Sequence, residues 1–559
     1  MLLGNAVAIS RDYQDSWVLE GLEPYFAVFM ITYAITFFSE KREKWMVALA
    51  IICCIVMVSI PNLKYLWFSG RSIDQQGQYK LANEVYNNGR IATQFHGGHA
   101  EVYVSTPLIH LSFAISSIIL NIPVTFSMKI LLVLLSTLYP LLTYSIMKNL
   151  TFSKNTTALK YTLFISSIPI ARNNYIVTGR TYGTLLVFLV LSQIVRLFKK
   201  DDRRHWSILL FFIIALAATH STSSILVAIL LSLIALLQSI SFIKTRSYLK
   251  RPTILAMITV TLAWLTFSAN RVLSDMTNTW LGMIAGITPK KGYVPSRLFE
   301  LTAKSIFGSV KSVIVYNGVD VFLLLFTIVG LIFVLKTLKQ SENNTLKFLF
   351  LFNALLLLFL VLGMSMKVGQ FYWTRVVNFV RISYPIFSGI AILYVIKRRT
   401  LRAVIFLSII FLATLQFYPC QPLIPPANTI SEDLPANEPV VYAVSVNSIY
   451  QRQMIQFAEK YAHGRIATDK VTGNQIMGLT QYNFSRNVIL YYPIATLVDK
   501  NIVEREYDYF LIHLPGKSGA FSEQAEMRTR ELILGTVKNS SVLYTNGESY
   551  ICAGASIKK

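Results

Sequence analysis

Charge is what this sequence has least of. Only 14% of its 559 residues are charged while 54% are hydrophobic, and the mean hydropathy is +0.51. A soluble domain clothes its surface in polar side chains, so this balance excludes one as the bulk of the chain. Cysteine is scarce as well, and four residues cannot staple a disulfide scaffold. Cys53 and Cys54 fall inside an apolar run, where they pack. Cys420 and Cys552 either pair in an oxidising compartment or stay free thiols. Met1 to Ser16 lacks a basic stretch ahead of an apolar core, so no cleavable signal is expected and the first helix serves as the membrane address. Internal repeats and low-complexity tracts are missing too.

What the sequence does have is apolar runs near the roughly 17 to 25 residues that a helix needs to cross a bilayer. They lie at 22–38, 45–67, 103–120, 124–147, 157–171, 181–198, 205–219, 221–243, 252–268, 319–337, 345–365, 376–396 and 401–418. Backbone with open hydrogen-bonding groups cannot face lipid, so these runs should be helices. The formal charge is +24, from 52 Lys and Arg against 28 Asp and Glu. No basic domain or aromatic-basic platform accompanies it, which argues against a nucleic-acid partner. Instead the cations stand in short clusters between the runs: Lys41, Arg42 and Lys44; Lys148 and Lys154; Lys199, Lys200, Arg203 and Arg204; Lys244, Arg246, Lys250 and Arg251; Lys336, Lys339 and Lys347; Lys397, Arg398, Arg399 and Arg402.

Those clusters should all be cytoplasmic. If every run crossed, the first cluster would lie opposite the rest. The conflict disappears when 103–120, with Pro107, His110 and several serines, is an interfacial or re-entrant helix on the outer face. About 12 spans then remain, with the N-terminus outside. The outer side holds the loops 69–102 and 270–318, turns at 172–180, near His220 and at 367–375, and everything beyond Tyr418. The expected fold class is a polytopic α-helical membrane protein at the cell membrane, with residues 1–418 forming the membrane domain. Pro419, Pro422, Pro425, Pro426, Pro435 and Pro439 make 419–439 a linker. A small extracytoplasmic α/β domain should follow at 440–559, with β runs at 440–446, 487–492 and 507–514, helices at 448–462 and 522–534, and a hairpin around Asn546-Gly547.

The segment richest in chemistry is the first outer loop, with Arg71-Ser-Ile-Asp-Gln-Gln-Gly-Gln-Tyr79, then Asn88-Gly-Arg-Ile91 and Tyr103-Val-Ser-Thr-Pro-Leu-Ile-His110. Asp74 lies a few residues past a span, at the height where a lipid-borne substrate presents its head group. A carboxylate there acts either as general base towards an acceptor hydroxyl or as a helix N-cap.

This arrangement resembles the GT-C superfamily of polyprenyl-phosphate-dependent glycosyltransferases, which includes protein O-mannosyltransferases, aminoarabinose transferases and oligosaccharyltransferase catalytic subunits. The resemblance implies that Asp74 is the catalytic base, that interfacial helices follow it and that Pro107-Leu108 leads into the next span. It continues through Arg180-Thr-Tyr-Gly183, Ala218-Thr-His-Ser-Thr222 and Arg375-Val-Val-Asn-Phe379 across the membrane region. Two departures stand out. Asp74 is followed by Gln75 and Gln76 rather than a second carboxylate, so a divalent metal stays open and no cofactor is assigned. No two tryptophans are adjacent, so the Trp-Trp-Asp of oligosaccharyltransferases is missing and transfer of one sugar is favoured over block transfer of a glycan.

A phosphate-linked donor needs cations on the outer side, for which Arg172, Arg180, Arg375 and Arg381 are candidates; the guanidinium fork suits phosphate. Arg381 lies within a span, so it faces a polar cavity, a lipid phosphate or a buried partner. Tyr79, His96, His99 and His220 are candidate hydrogen-bonding partners for sugar or phosphate, and His220 is alternatively a helix C-cap. His96, His99 and His110 lack the fourth ligand of a zinc site. The expected activity is inverting transfer of a sugar from a polyprenyl-phosphate donor to a lipid-linked glycan or protein. The rival readings are a transporter or flippase of lipid-linked or anionic substrates and a non-catalytic scaffold.

Overall fold

The computed structural model of the chain describes residues 23–63, 73–91, 104, 106–150, 156–168, 179–199, 202–239, 251–269, 306–338, 343–365, 370–417, 449–462, 464–469, 487–492, 508–513, 531, 534, 537, 541–545 and 549–553. Each apolar run of the sequence is helical there. In chain order the helices are α1 (Glu23–Ser39), α2 (Glu43–Leu63), α3 (Ile73–Asn88), α4 (Pro107–Leu120), α5 (Val124–Ser136), α6 (Leu138–Met147), α7 (Thr156–Ser166) and α8 (Gly179–Lys199). They continue with α9 (Arg203–Thr219), α10 (Ser221–Ser239), α11 (Arg251–Phe267), α12 (Ile306–Leu338), α13 (Asn344–Ser365), α14 (Gln370–Ile390), α15 (Arg399–Phe417) and α16 (Ile449–Tyr461).

Among the described residues, 6 helical stretches are long and apolar enough to cross a membrane: Val124–Met147, Gly179–Lys199, Ser221–Gln238, Gly318–Leu338, Asn344–Val361 and Asn378–Val395. α4 has 14 residues. That is about 21 Å of helix, short of the roughly 30 Å hydrocarbon core. It ends at Asn121 in the left-handed conformation, φ 51°, a C-terminal stop that Pro123 reinforces.

Two helices differ from the sequence reading. The polar stretch 73–88, read as part of a loop, is the helix α3; it shows no apolar run because only one of its faces meets the protein. α12 starts at Ile306, inside the expected loop 270–318, because Gly308 and Asn317-Gly318 look like breakers yet are tolerated in a helix of 33 residues.

α14 sits at the middle of the bundle, against α7, α12 and α13. Its approach to α12 is backbone to backbone: a Cβ on Gly330 would lie 2.0 Å from the carbonyl oxygen of Phe387. Beside that contact Thr327 and Ser388 share a hydrogen bond of 3.1 Å, and Ser388 donates to the Leu323 carbonyl at 3.0 Å. Pro385 lies inside α14 and a π turn, Ala391–Val395, follows the helix. Arg402 satisfies the carbonyls so released, donating to Ile396 O at 2.6 Å and Leu393 O at 2.8 Å. Opposite, Tyr33, Phe37, Phe38, Phe164 and Phe406 form an aromatic cluster that joins α1, α7 and α15.

The C-terminal part is a mixed five-stranded sheet ordered β2-β1-β3-β5-β4. Its strands are β1 (Gly464–Asp469), β2 (Asn487–Tyr492), β3 (Tyr509–His513), β4 (Ser541–Thr545) and β5 (Ser549–Ala553). β1 lies parallel to β2 and β3, and the β4–β5 hairpin is antiparallel, as the Asn546-Gly547 signal predicts. α16 buries Met454, Ile455 and Ala458 against Ile466, Leu511 and Ile551. The expected strand 440–446 and the linker 419–439 lie outside the described residues. Cys552 is a fully buried free thiol, and burial pushes it up to about 12. Its prospective partner Cys420 lies outside the described residues.

Candidate active site

α3 packs on α4 through matching stripes. Gln78, Leu81, Ala82 and Val85 are buried on α3, and His110, Phe113, Ala114 and Ser117 on α4, each set spaced i, i+3, i+4, i+7. The polar residues at the head of the stripes meet: His110 Nε2–H donates to Gln78 Oε1. Both side chains are buried, at 0% and 2% exposure. Asp74 lies in the first turn of α3, one turn ahead of Gln78 and in line with the buried stripe. A carboxylate in a first turn is favoured by the helix dipole.

α8 meets this pair at its own start. A Cβ on Gly183 would lie 2.8 Å from His220 Cβ and 3.0 Å from Ser223 Oγ, so only glycine lets α8 pass the joint between α9 and α10. One turn earlier, a Cβ on Gly179 would lie 3.4 Å from His220 Cδ2 and 3.8 Å from Gln78 Nε2. The second turn of α3, the first turn of α8 and the α9–α10 joint therefore come together. Arg180 follows Gly179 and is half-buried. Tyr182 is buried with its ring edge-on to Phe113 of α4, centroids 5.5 Å apart.

His220 is the joint itself. It closes α9 with φ −155° and ψ 85°, and its carbonyl and its Nδ1 accept from Ser223 N–H at 3.0 and 3.2 Å. The Ser223 hydroxyl lies 2.5 Å from the same nitrogen. His220 is thus the C-cap of α9, as expected, its N–H donating to the Leu216 carbonyl at 2.9 Å, and its side chain also caps the N-terminus of α10, whose first N–H groups need an acceptor.

The other sequence candidates are distributed as follows. Tyr79 is buried in the main hydrophobic core. Arg375 stands near the start of α14. Arg172, His96 and His99 lie outside the described residues. Arg381 has a buried partner: its Nε and Nη2 donate to the two carboxylate oxygens of Asp320 at 3.0 and 2.7 Å, and its Nη1 donates to Asn378 Oδ1 at 2.8 Å. Asp320 carries the one signal that sequence reasoning passed over, since a carboxylate and a guanidinium within two spans are expected to find each other. Gln78 gives no signal in sequence, because its role comes from a neighbour 32 residues away.

Among the described residues no three His, Cys, Asp or Glu side chains gather as a ligand set. His110 Nε2 and His220 Nδ1 are engaged by Gln78 and Ser223. No step is derived through a metal.

No family model and no curated relative matches the chain. Its fold is nevertheless shared with solved structures. The apo oligosaccharyltransferase of Archaeoglobus fulgidus superposes with a TM-score of 0.55 at 11% identity, over 92% of this chain and 75% of that one. The same enzyme in complex with Zn and sulfate gives 0.52 at 10% identity, over 91% and 73%. ArnT from Cupriavidus metallidurans bound to undecaprenyl phosphate is a looser likeness, 0.48 at 10% identity, over 91% and 97%. The chain has the GT-C fold.

Proposed function

We propose that this chain, built on the GT-C fold, is a multi-pass membrane glycosyltransferase. It takes a sugar from a polyprenyl-phosphate donor and places it, on the outer face, on a hydroxyl of a lipid-linked glycan or a protein. What supports the reading is the packing of Gly179 and Gly183, at the start of α8, on Gln78 of α3 and on His220 between α9 and α10, with Asp74 one turn before Gln78 and Arg180 next to Gly179 in sequence. The fold supports it, since the oligosaccharyltransferase whose structure matches is itself a transferase.

In this mechanism the acceptor oxygen attacks the anomeric carbon as the bond from that carbon to the phosphate oxygen breaks. The electron pair leaves with the polyprenyl phosphate, and Asp74 takes the acceptor's proton. Arg180 stabilises the departing phosphate by fixed positive charge. Arg381, held by Asp320 and Asn378, serves the bundle rather than the donor.

The test is transfer of labelled mannose, glucose or galactose from farnesyl phosphate to membrane acceptors by the purified protein in nanodiscs. Asp74→Asn should lower the rate by at least about 100-fold, the usual scale for losing a general base. Its expression should stay near wild type. Turnover within a few-fold of wild type would remove Asp74 from the mechanism, leaving Glu84 and Glu101 as the next carboxylates to replace.

A further inference from the structure

Two buried polar atoms at the α3–α4–α8 junction have no partner among the described residues: the amide nitrogen of Gln78 and the hydroxyl of Tyr182. Their residues are 0% and 8% exposed. Leaving such a group unpaired costs roughly 1–3 kcal/mol, so in a native protein it marks something that completes it. The two belong to one place. The Gln78 oxygen is committed to His110 and the Tyr182 ring rests on Phe113, the residue three positions on along the same face of α4. The Gln78 nitrogen borders Gly179, three positions before Tyr182 on α8.

We infer that Gln78 Nε2 and Tyr182 Oη form a recognition site for hydroxyl groups of an uncharged donor sugar, an inference that rests on the glycosyltransferase reading. Both groups donate and neither carries charge, which suits sugar hydroxyls. A phosphate or a uronic acid would bring a negative charge to a spot whose described neighbours, Gln78, Tyr182, His110 and Phe113, supply no cation. Arg180 belongs to the same first turn of α8, on a different face from Gly179 and Tyr182. Asp74 lies one turn from Gln78. Sites that hydrogen-bond a substrate hydroxyl discriminate strongly, because analogues leave buried donors unpaired.

The probes are farnesyl phosphate alone and farnesyl phosphate carrying mannose, glucose or galactose, titrated against the full chain in nanodiscs with thermal unfolding as the readout. In the wild type at least one sugar should raise the melting temperature beyond farnesyl phosphate alone. Tyr182→Phe should weaken binding of that sugar-bearing lipid about tenfold and leave farnesyl phosphate binding intact. It should also leave the unliganded protein as stable as wild type or more so, because it removes an unpaired hydroxyl. Gln78→Met, which keeps the shape and removes the amide, should show the same selective loss. Two outcomes would overturn this inference alone: full retention of the sugar increment in both variants, or a lower unliganded melting temperature with farnesyl phosphate binding lost in proportion. A wild type that gains nothing from any of the three sugars would overturn the donor reading itself, and this site with it.

Discussion

One residue pair sets opposite charges against each other inside the helical region. Asp320 and Arg381 are 9% and 14% exposed and joined at 2.7 Å. Removing one partner of a buried pair leaves an uncompensated charge and costs roughly 3–5 kcal/mol, whereas replacing both with apolar groups is often neutral. Asp320→Leu should thus destabilise the protein severely, and the double variant Asp320→Leu/Arg381→Met should recover most of the loss in thermal unfolding. A double variant no more stable than the single one would show that the pair is not the source of the effect. Legibility at this scale is uneven for a physical reason. Arg381 drew notice as a charge within an apolar run, and Asp320 carries the same mark. Gln78 and Tyr182 do not stand out, since their significance is an unmet hydrogen bond and that exists only once α3, α4 and α8 are in contact.

At the scale of the element, hydropathy predicts helices wherever a segment is apolar on most sides and goes blind where one face is wet. That is why every apolar run is found as a helix while α3, whose buried residues Gln78, Tyr79, Leu81, Ala82 and Val85 are flanked by polar ones, gives no helix signal in hydropathy. The same blindness hid β1, whose six residues offer only Ile466 and Ala467 as an apolar core, while β2, β3 and the β4–β5 hairpin were legible from their β-branched and aromatic content. The central packing of α12 on α14 depends on the missing side chain at Gly330. Gly330→Ala should push these helices apart at Phe387, lower stability by about 1–3 kcal/mol, and weaken the Thr327–Ser388 hydrogen bond alongside. A variant that melts with the wild type would show that α12 can shift without cost.

At the scale of the whole molecule, sidedness ties fold to the proposed function, because in that reaction donor phosphate, acceptor and Asp74 must share one face of the membrane. The cationic clusters argue that the loop before α9 is cytoplasmic and the start of α3 is not. Arg204, exposed in the first turn of α9, offers the test. A cysteine placed there should react with an impermeant maleimide only after the membrane is opened. Reaction from outside in intact cells would reverse the assigned face of the active site. The fold class was legible from hydropathy and the order of short motifs. The convergence at the site was not, because α3, α8 and the α9–α10 joint are far apart in sequence.

The joint at His220 carries a consequence for how such a chain can change length. α9 ends at Thr219 and α10 begins at Ser221, so the connection is one residue, and both its backbone and its ring are in use. Inserting a single residue there would turn α10 by about 100° and shift it by about 1.5 Å. Its inward-facing side chains would swing toward lipid and Gly183 would lose its passage. Loops tolerate gain and loss of residues because nothing depends on their phase. Here phase is everything, so insertions and deletions should be confined to other connections and the α9–α10 hairpin should keep one fixed length.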